Sequence, residues 1–401
     1  MGLVEISSNI GPEAQAAYQK YLDAGSKEEK IKRLEEFLSL VPKHKATEKI
    51  VALNKSRLAK LRREVEEKKQ KSKTSKPVSP FSIKKEGIQI IFLSDYHTPG
   101  AGKTSLLYFL TGAAKDKIGK FTAIPELGIY NYKNVRFQIV DMPSLMEDAS
   151  KGVGNGKEIL AQARAADLLC LIVDLSRNYR AQIDLLMHEL DEADIRLNVE
   201  PPVITIEKTG SNRIQVFYIT KEAKENTDIP ELTEKIKELV RENGIRNGIV
   251  KIYGKISLDD IVDALTPAVV YSKVALICTK GDLPHTSEEF EKIQEEYSGV
   301  FPWILGTSVH TENFPQDFGE KILSFLEKIK IYTKNAGRVA EKPLILDEGS
   351  TVKDVAIKIH KTFYELFDHA IVIRESARQK RKKVGLDYEL EDLDIIEIHT
   401  R

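Results

Sequence analysis

The strand-length run IQIIFL (88–93) leads into HTPGAGKTS (97–105), and the helical stretch TSLLYFLTG follows at once. Gly102-Lys103-Thr104 closes the spacing G-x-x-x-x-G-K-[ST], a loop that wraps a phosphate with backbone N–H groups. That order constrains the fold strongly. The strand must end at an open sheet edge, and the helix must point its N-terminus at the anion. Further apolar runs at YKNVRFQIVD (132–141), LLCLIVDL (168–175) and KVALICTK (273–280) alternate with helical stretches such as GKEILAQARAA. The alternation predicts an α/β domain with a parallel sheet covered by helices.

Ligands of such sheets collect at the C-terminal ends of the strands. There the sequence puts four groups of residues. The candidate phosphate cradle is His97, Thr98, Pro99, Gly100, Ala101, Gly102, Lys103, Thr104 and Ser105, with Lys103 bridging β- and γ-phosphates and Thr104 on Mg²⁺. Asp141, closing FQIVD, suits the Mg²⁺ shell. Thr279-Lys280-Gly281-Asp282 fits guanine: Asp282 accepts from the ring N–H and the exocyclic amine, and the Lys280 stem covers the base. Adenine lacks that donor pair, so GTP and GDP are expected over ATP. Thr307, Ser308 and Val309 after WIL fit the loop that meets the guanine oxygen.

The rest of the chain divides by texture. Residues 1–85 read as a helical region with a capping box at Ser26-Lys27-Glu28-Glu29, a long basic helix and the breaker KTSKPVSP. The sheet domain occupies 86–177 and 272–336. Between them, 178–271 reads as an inserted α+β domain that starts with the helix AQIDLLMHELDEA and contains a hairpin, VITIEKTGSNRIQVFYIT. Residues 337–401 form a small α+β unit with one helix at TVKDVAIKIHKTFYELF. Its loop RESARQKRKKVG gathers Arg374, Arg378, Lys380, Arg381, Lys382 and Lys383. A phosphate backbone is the expected partner. No aromatic residue is interleaved, so backbone and shape reading of RNA is expected, with no DNA sequence specificity. A second patch, KLRREVEEKKQKSKTSK (60–76), reads equally as a charged helix.

Lys+Arg and Asp+Glu number 61 each, so net charge names no partner. Cys170 and Cys278 lie in apolar runs, which predicts buried thiols and neither disulfide nor zinc. No apolar stretch reaches the ~20 residues of a membrane span, and a soluble, cytoplasmic protein is expected.

These motifs together resemble the Obg-related GTPases, and specifically the developmentally regulated GTP-binding branch. The resemblance extends over nearly the whole chain: HKATEKIVALNKSRLAKLRRE (44–64) in the N-terminal region, LLMHELDEADIRLNVEPPVI (185–204) at the entry to an insert similar to a ribosomal-protein domain, GVGNGKE (152–158) as a glycine-rich second switch, and VGLDYELEDLDIIEI in a ubiquitin-like TGS domain. It implies a translation-linked GTPase that meets ribosomes or RNA, through the TGS domain and the basic helix, and a protein partner. It also implies roles for Lys103, Thr104, Asp141, Thr279, Lys280 and Asp282 as assigned above. Leu145 stands where Ras-like enzymes keep a catalytic Gln, and Ala101 where potassium-using relatives carry Asn.

Three positions depart from the family pattern. His97 replaces the first loop glycine, at a turn where positive φ is expected and where Gly100 supplies flexibility; a charged role beside the phosphates is the alternative. Ser144 replaces the glycine of D-x-x-G, keeping its N–H but restricting a peptide flip. In Phe121-Thr122-Ala123 only Thr122 remains of a paired Thr, as a second candidate Mg²⁺ ligand. The departures bear on hydrolysis and switching more than on binding. Two readings follow: a slow Mg²⁺-dependent GTPase, with Lys103, Asp141, Ser144 and Thr122 in its reacting centre, or a GTP-binding scaffold with little turnover.

Overall fold

The computed structural model describes residues 11–42, 47–71, 79–210, 213–226, 228–266, 268–335, 337–375 and 380–401. The chain forms two compact units, Met1–Val78 with Glu200–Val270 and Ser79–Val199 with Tyr271–Arg401.

The first unit begins with α1 (Pro12–Asp23), α2 (Lys27–Leu40) and α3 (Glu48–Lys71). Pro12 sits in the first turn, where its missing N–H costs nothing. The Ser26 hydroxyl caps α2 by accepting from the Glu29 N–H at 3.1 Å. Ala17, Leu34, Phe37 and Leu58 close the core between the three helices.

The second unit opens with β1 (Ile88–Leu93), α4 (Lys103–Thr111), β2 (Glu126–Tyr132), β3 (Val135–Asp141), α5 (Gly156–Ala165), β4 (Leu168–Asp174), α6 (Tyr179–Glu192) and β5 (Ile195–Leu197). β1 is parallel to both β3 and β4, and β2 folds back antiparallel on β3. All six residues of β1 and all seven of β4 are buried. Alternate residues feed two cores: Ile91, Leu93, Val140 and Leu171 lie in one, Ile90, Phe92, Ile139 and Cys170 in the other. A sheet covered on both faces requires such unbroken apolar runs.

The chain then returns to the first unit with β6 (Ile204–Lys208), β7 (Ile214–Tyr218), α7 (Lys221–Lys224), α8 (Ile229–Glu242), β8 (Gly248–Ile252) and α9 (Leu258–Leu265). The expected hairpin is corrected here. β8 lies between β6 and β7, antiparallel to the first and parallel to the second. The central place suits GIVKI, whose Gly248, Val250 and Ile252 are all buried. Ser257 caps α9 in a full capping box with Asp260. Ala52 and Leu53 of α3 join Ile236, Leu239 and Ile261 in one core, and Arg57 pairs with Glu242 at 3.4 Å.

The expected start of the insert at 178 also moves. α6 puts Ile183, Leu186 and Leu190 into the sheet core, and β5 pairs with the sheet, so the insert begins near Glu200. The sheet domain resumes with β9 (Val270–Thr279), α10 (Thr286–Tyr297), β10 (Ile304–Gly306) and α11 (Phe318–Phe325). Its order is β10-β9-β4-β1-β3-β2, with β5 beside β9.

The tail comprises β11 (Lys328–Asn335), β12 (Arg338–Val339), β13 (Leu344–Asp347), α12 (Val352–Ile359), α13 (Lys361–Glu365), β14 (Phe367–Ile373), β15 (Arg381–Val384) and β16 (Ile395–Thr400). β11 pairs with β16, β13 and β12, so this domain starts near Lys328 and not at 337. Its expected single helix is two, because His360 is extended (φ −171°, ψ 144°) and its ring caps α13 through the Thr362 N–H.

Candidate nucleotide site

The loop between β1 and α4 turns on two glycines. Gly100 has φ +76° and Gly102 φ +96°, where an L side chain is strained. His97 is not in the left-handed region, so the expected strained turn at that position is absent and the backbone tolerates His97 without cost. Asp95, a residue unremarked in the sequence, organises the turn instead. It is buried, and it accepts from the His97 N–H at 2.8 Å and the Thr98 hydroxyl at 2.9 Å. Pro99 and Gly100 are exposed, Ala101 is buried and Ser105 is half-buried in the first turn of α4. Among the described residues no protein group accepts from the N–H of Gly100, Ala101 or Gly102. Three free N–H groups at a helix N-terminus form an anion cradle.

Lys103 is buried, and Nζ donates to Ser94 Oγ at 2.6 Å and Ser144 Oγ at 2.9 Å. Burial lowers its pKa, while Asp141 and Asp95 pull it back. Beside it, Thr104 Oγ1 donates to Asp141 Oδ2, and Thr122 Oγ1 lies 3.3 Å from Thr104 Oγ1 and 3.5 Å from Asp141 Oδ2. Asp141 is fully buried, and burial raises its pKa against the pull of Lys103. Its Oδ1 has no hydrogen-bond partner. A buried carboxylate with one oxygen orphaned and two hydroxyls converging on the other is the donor chemistry of a hard cation held jointly with phosphate oxygens. The residues therefore fit Mg²⁺. Among the described residues no cluster of three His, Cys, Asp or Glu offers a different metal site.

The residues expected to read the base meet at the ends of β9 and β10. Thr279 is buried and its hydroxyl donates to Ala101 O at 2.7 Å, tying this strand to the phosphate loop. Lys280 takes a left-handed backbone (φ +62°), and its ammonium pairs with the fully buried Asp174. The Ser308 hydroxyl donates to Asp282 Oδ1 at 2.6 Å and holds that carboxyl below its usual range. Asp282 itself is exposed, as an acceptor for a ligand must be. The Thr307 N–H donates to Cys278 O at 2.8 Å, and among the described residues the Val309 N–H has no protein acceptor. The Cys278 thiol is pushed up to about 12 by burial, and Cys170 is raised likewise, so both are inert as expected.

The segment expected to form the second switch is held from two sides. Leu145, buried, donates its N–H to Ser94 O and accepts from the Tyr96 N–H, both at 2.9 Å. Glu189 on α6, also buried, accepts from the N–H groups of Asp148 and Ser150 at 2.8 Å each. Gly156 begins α5 where a Cβ would lie 2.2 Å from Ala149 O, so no other residue fits. Ser94, Asp95, Asp174 and Glu189 were not singled out by sequence. The two polar residues that break an apolar run just before the loop were the available signal for the first pair.

The basic cluster of the tail is corrected in part. Arg374 is not a free cation: it forks onto Asp394 at 2.8 and 2.7 Å and also pairs with Glu391. Arg381, Lys382 and Lys383 lie on the edge strand β15 rather than in a loop, and with Lys380 they are exposed. The Lys382 ammonium sits 4.8 Å from the ring centre of Tyr388, so an aromatic residue does adjoin the patch. Arg378 and residues 72–76 of the second patch fall outside the described residues.

Comparison with known proteins agrees with this geometry. Residues 98–208 match the family model described as 50S ribosome-binding GTPase, and residues 329–400 match the TGS domain. A GTP-binding protein of Methanocaldococcus jannaschii, described as uncharacterised, is 34% identical over 382 residues, 92% of each chain. The developmentally-regulated GTP-binding protein 2 homolog of Dictyostelium discoideum is 30% identical, over 92% of this chain and 98% of that one. Developmentally-regulated GTP-binding protein 1 of Xenopus laevis is 29% identical over the same shares. A GTPase domain and a TGS domain in one chain, with relatives aligned nearly end to end, mean that the chain is a GTP-binding protein and belongs to the developmentally regulated branch of the Obg-related GTPases.

Proposed function

We propose that this protein is a slow, Mg²⁺-dependent GTPase that acts on ribosomes or RNA, with the observation at Asp141 carrying the enzymatic part. A buried carboxylate with one oxygen unpartnered costs the fold free energy unless a cation completes it. Bound magnesium would supply charge neutralisation at the β- and γ-phosphate oxygens. Thr104, Thr122 and Asp141 would hold it, and Lys103 with the N–H groups of Gly100, Ala101 and Gly102 would fix the phosphates. Asp282, aimed by Ser308, would select guanine. No polar side chain stands at position 145 to orient water, since Leu145 is buried, and this supports slow turnover. The exposed cations of β15 support docking on a phosphate backbone.

A second reading is a GTP-binding scaffold without useful turnover. The two backbone bonds that pin Leu145 to the phosphate loop favour it, because they limit movement of the second switch. Single-turnover GTP hydrolysis with and without ribosomes, on wild type and Lys103→Ala, separates the two. A ribosome-stimulated rate lost in the variant is expected; tight binding without turnover in either condition selects the scaffold.

A further inference from the structure

We propose that Ser144 is a positioning residue for Lys103, and that its hydroxyl lets the second switch sense a terminal phosphate through a side chain. The proposal rests on the guanine-nucleotide reading above.

Three atoms form a closed triangle: Lys103 Nζ to Ser94 Oγ 2.6 Å, Lys103 Nζ to Ser144 Oγ 2.9 Å, and Ser94 Oγ to Ser144 Oγ 3.0 Å. Donor counting shows what the triangle leaves over. An ammonium has three hydrogens, and two go to the serine oxygens. One hydroxyl hydrogen bridges the serines, and the other has no partner within the triangle. One N–H and one O–H therefore remain for an incoming oxyanion. Glycine at 144 would leave Ser94 as the one hydroxyl and release one side of the ammonium, so Lys103 would no longer be tied to residue 144.

The neighbouring carboxylates do not take the serines' place at the ammonium. Asp95 spends its oxygens on His97 and Thr98, Asp141 Oδ2 is taken by Thr104 and Thr122, and Asp141 Oδ1 has no hydrogen-bond partner. Lys103 is 7% exposed and Ser94 1%, so the hydroxyls do for the ammonium what water would otherwise do. Placement is also rigid. The bonds from Leu145 N–H to Ser94 O and from Tyr96 N–H to Leu145 O fix the backbone next to Ser144, so its side chain cannot drift away from Lys103. A ligand that pulls Lys103 toward a γ-oxygen thereby pulls on the second switch directly.

The test uses the full chain, fluorescent GDP and a β,γ-imido GTP analogue. Ser144→Ala is expected to weaken the analogue about 10- to 100-fold, one hydrogen bond to a charged group, and GDP less than about 2-fold. Ser94→Ala should do the same. The double variant should match the weaker single, because both serines act through one ammonium. Ser144→Thr keeps the hydroxyl and should restore the GTP-to-GDP ratio to within about 2-fold, which separates positioning from folding. Equal losses for both nucleotides, losses that multiply in the double variant, or wild-type discrimination in Ser144→Gly would each overturn the proposal. A wild-type chain that binds neither nucleotide sinks the guanine-nucleotide reading itself, and the proposal with it.

Discussion

Replacing Glu189 with glutamine isolates one restraint on the second switch. The carboxylate is 1% exposed and takes the N–H of Asp148 on Oε1 and of Ser150 on Oε2, each at 2.8 Å. Hydrogen bonds to a charged acceptor contribute about 1.5–3 kcal/mol each. Glutamine fills the same volume, but it keeps one neutral acceptor and turns an N–H₂ toward the other backbone N–H. One bond is lost, one is weakened, and two donors face each other. The net cost is about 2–3 kcal/mol, reduced from the full sum because the desolvation of a buried carboxylate is relieved. The loss is local, so it should appear as easier opening of residues 148–155 rather than as global unfolding. Hydrogen exchange resolved at Ser150 should then lose protection about 30- to 150-fold, while Leu171 in the middle of β4 stays unchanged. Protection at Ser150 within about threefold of wild type would refute the reasoning, since it would mean the carboxylate holds nothing that backbone contacts do not already hold.

Other consequences are sharp enough to measure. Asp282→Asn should lose guanine nucleotides and gain xanthine nucleotides in competition binding, because asparagine presents a donor where xanthine carries an oxygen; retained guanine preference would remove Asp282 from the base site. Arg374→Ala should destabilise the tail domain by about 2–4 kcal/mol in urea unfolding by leaving buried Asp394 unpaired, whereas Lys383→Glu should leave stability within about 0.5 kcal/mol and weaken RNA binding with a shallower salt dependence. The Thr351 N–H and hydroxyl hold the Asp354 carboxyl below its ordinary range. A lowered folded value means that this capping contribution is complete above about pH 3.9 and fades as pH falls through the folded value. Acid unfolding of Asp354→Asn should therefore show a smaller slope below pH 4 than wild type.

The sheet was legible because burial on both faces forces runs such as LLCLIVD, and the phosphate loop because only Gly102-Lys103-Thr104 at that spacing serves it. What could not be read was pairing at a distance. β6 and β7 are near neighbours in sequence, yet the strand between them comes from residues 248–252, and nothing local to 203–220 encodes that. Arg374 belongs by composition to a basic run, but its side chain answers to Asp394, twenty residues away. His97 looked strained because a loop glycine suggests positive φ, whereas the turn is held by a carboxylate two residues earlier. Ser144 read as a lost glycine until Lys103 was found against its hydroxyl.

The shared core of α3 and the insert sets an order of events during synthesis. Ala52 and Leu53 leave the ribosome early, but Ile236, Leu239 and Ile261, against which they pack, follow roughly two hundred residues later. At about 5–20 residues per second, the apolar side of α3 waits on the order of 10 to 40 seconds before its partner surface exists. In that interval five of the seven strands of the nucleotide-binding sheet have already emerged. A nascent chain of this protein must therefore carry one uncovered face of α3, that of Ala52 and Leu53, while the sheet domain folds, and truncation before residue 266 should leave that face open to chaperones and proteases.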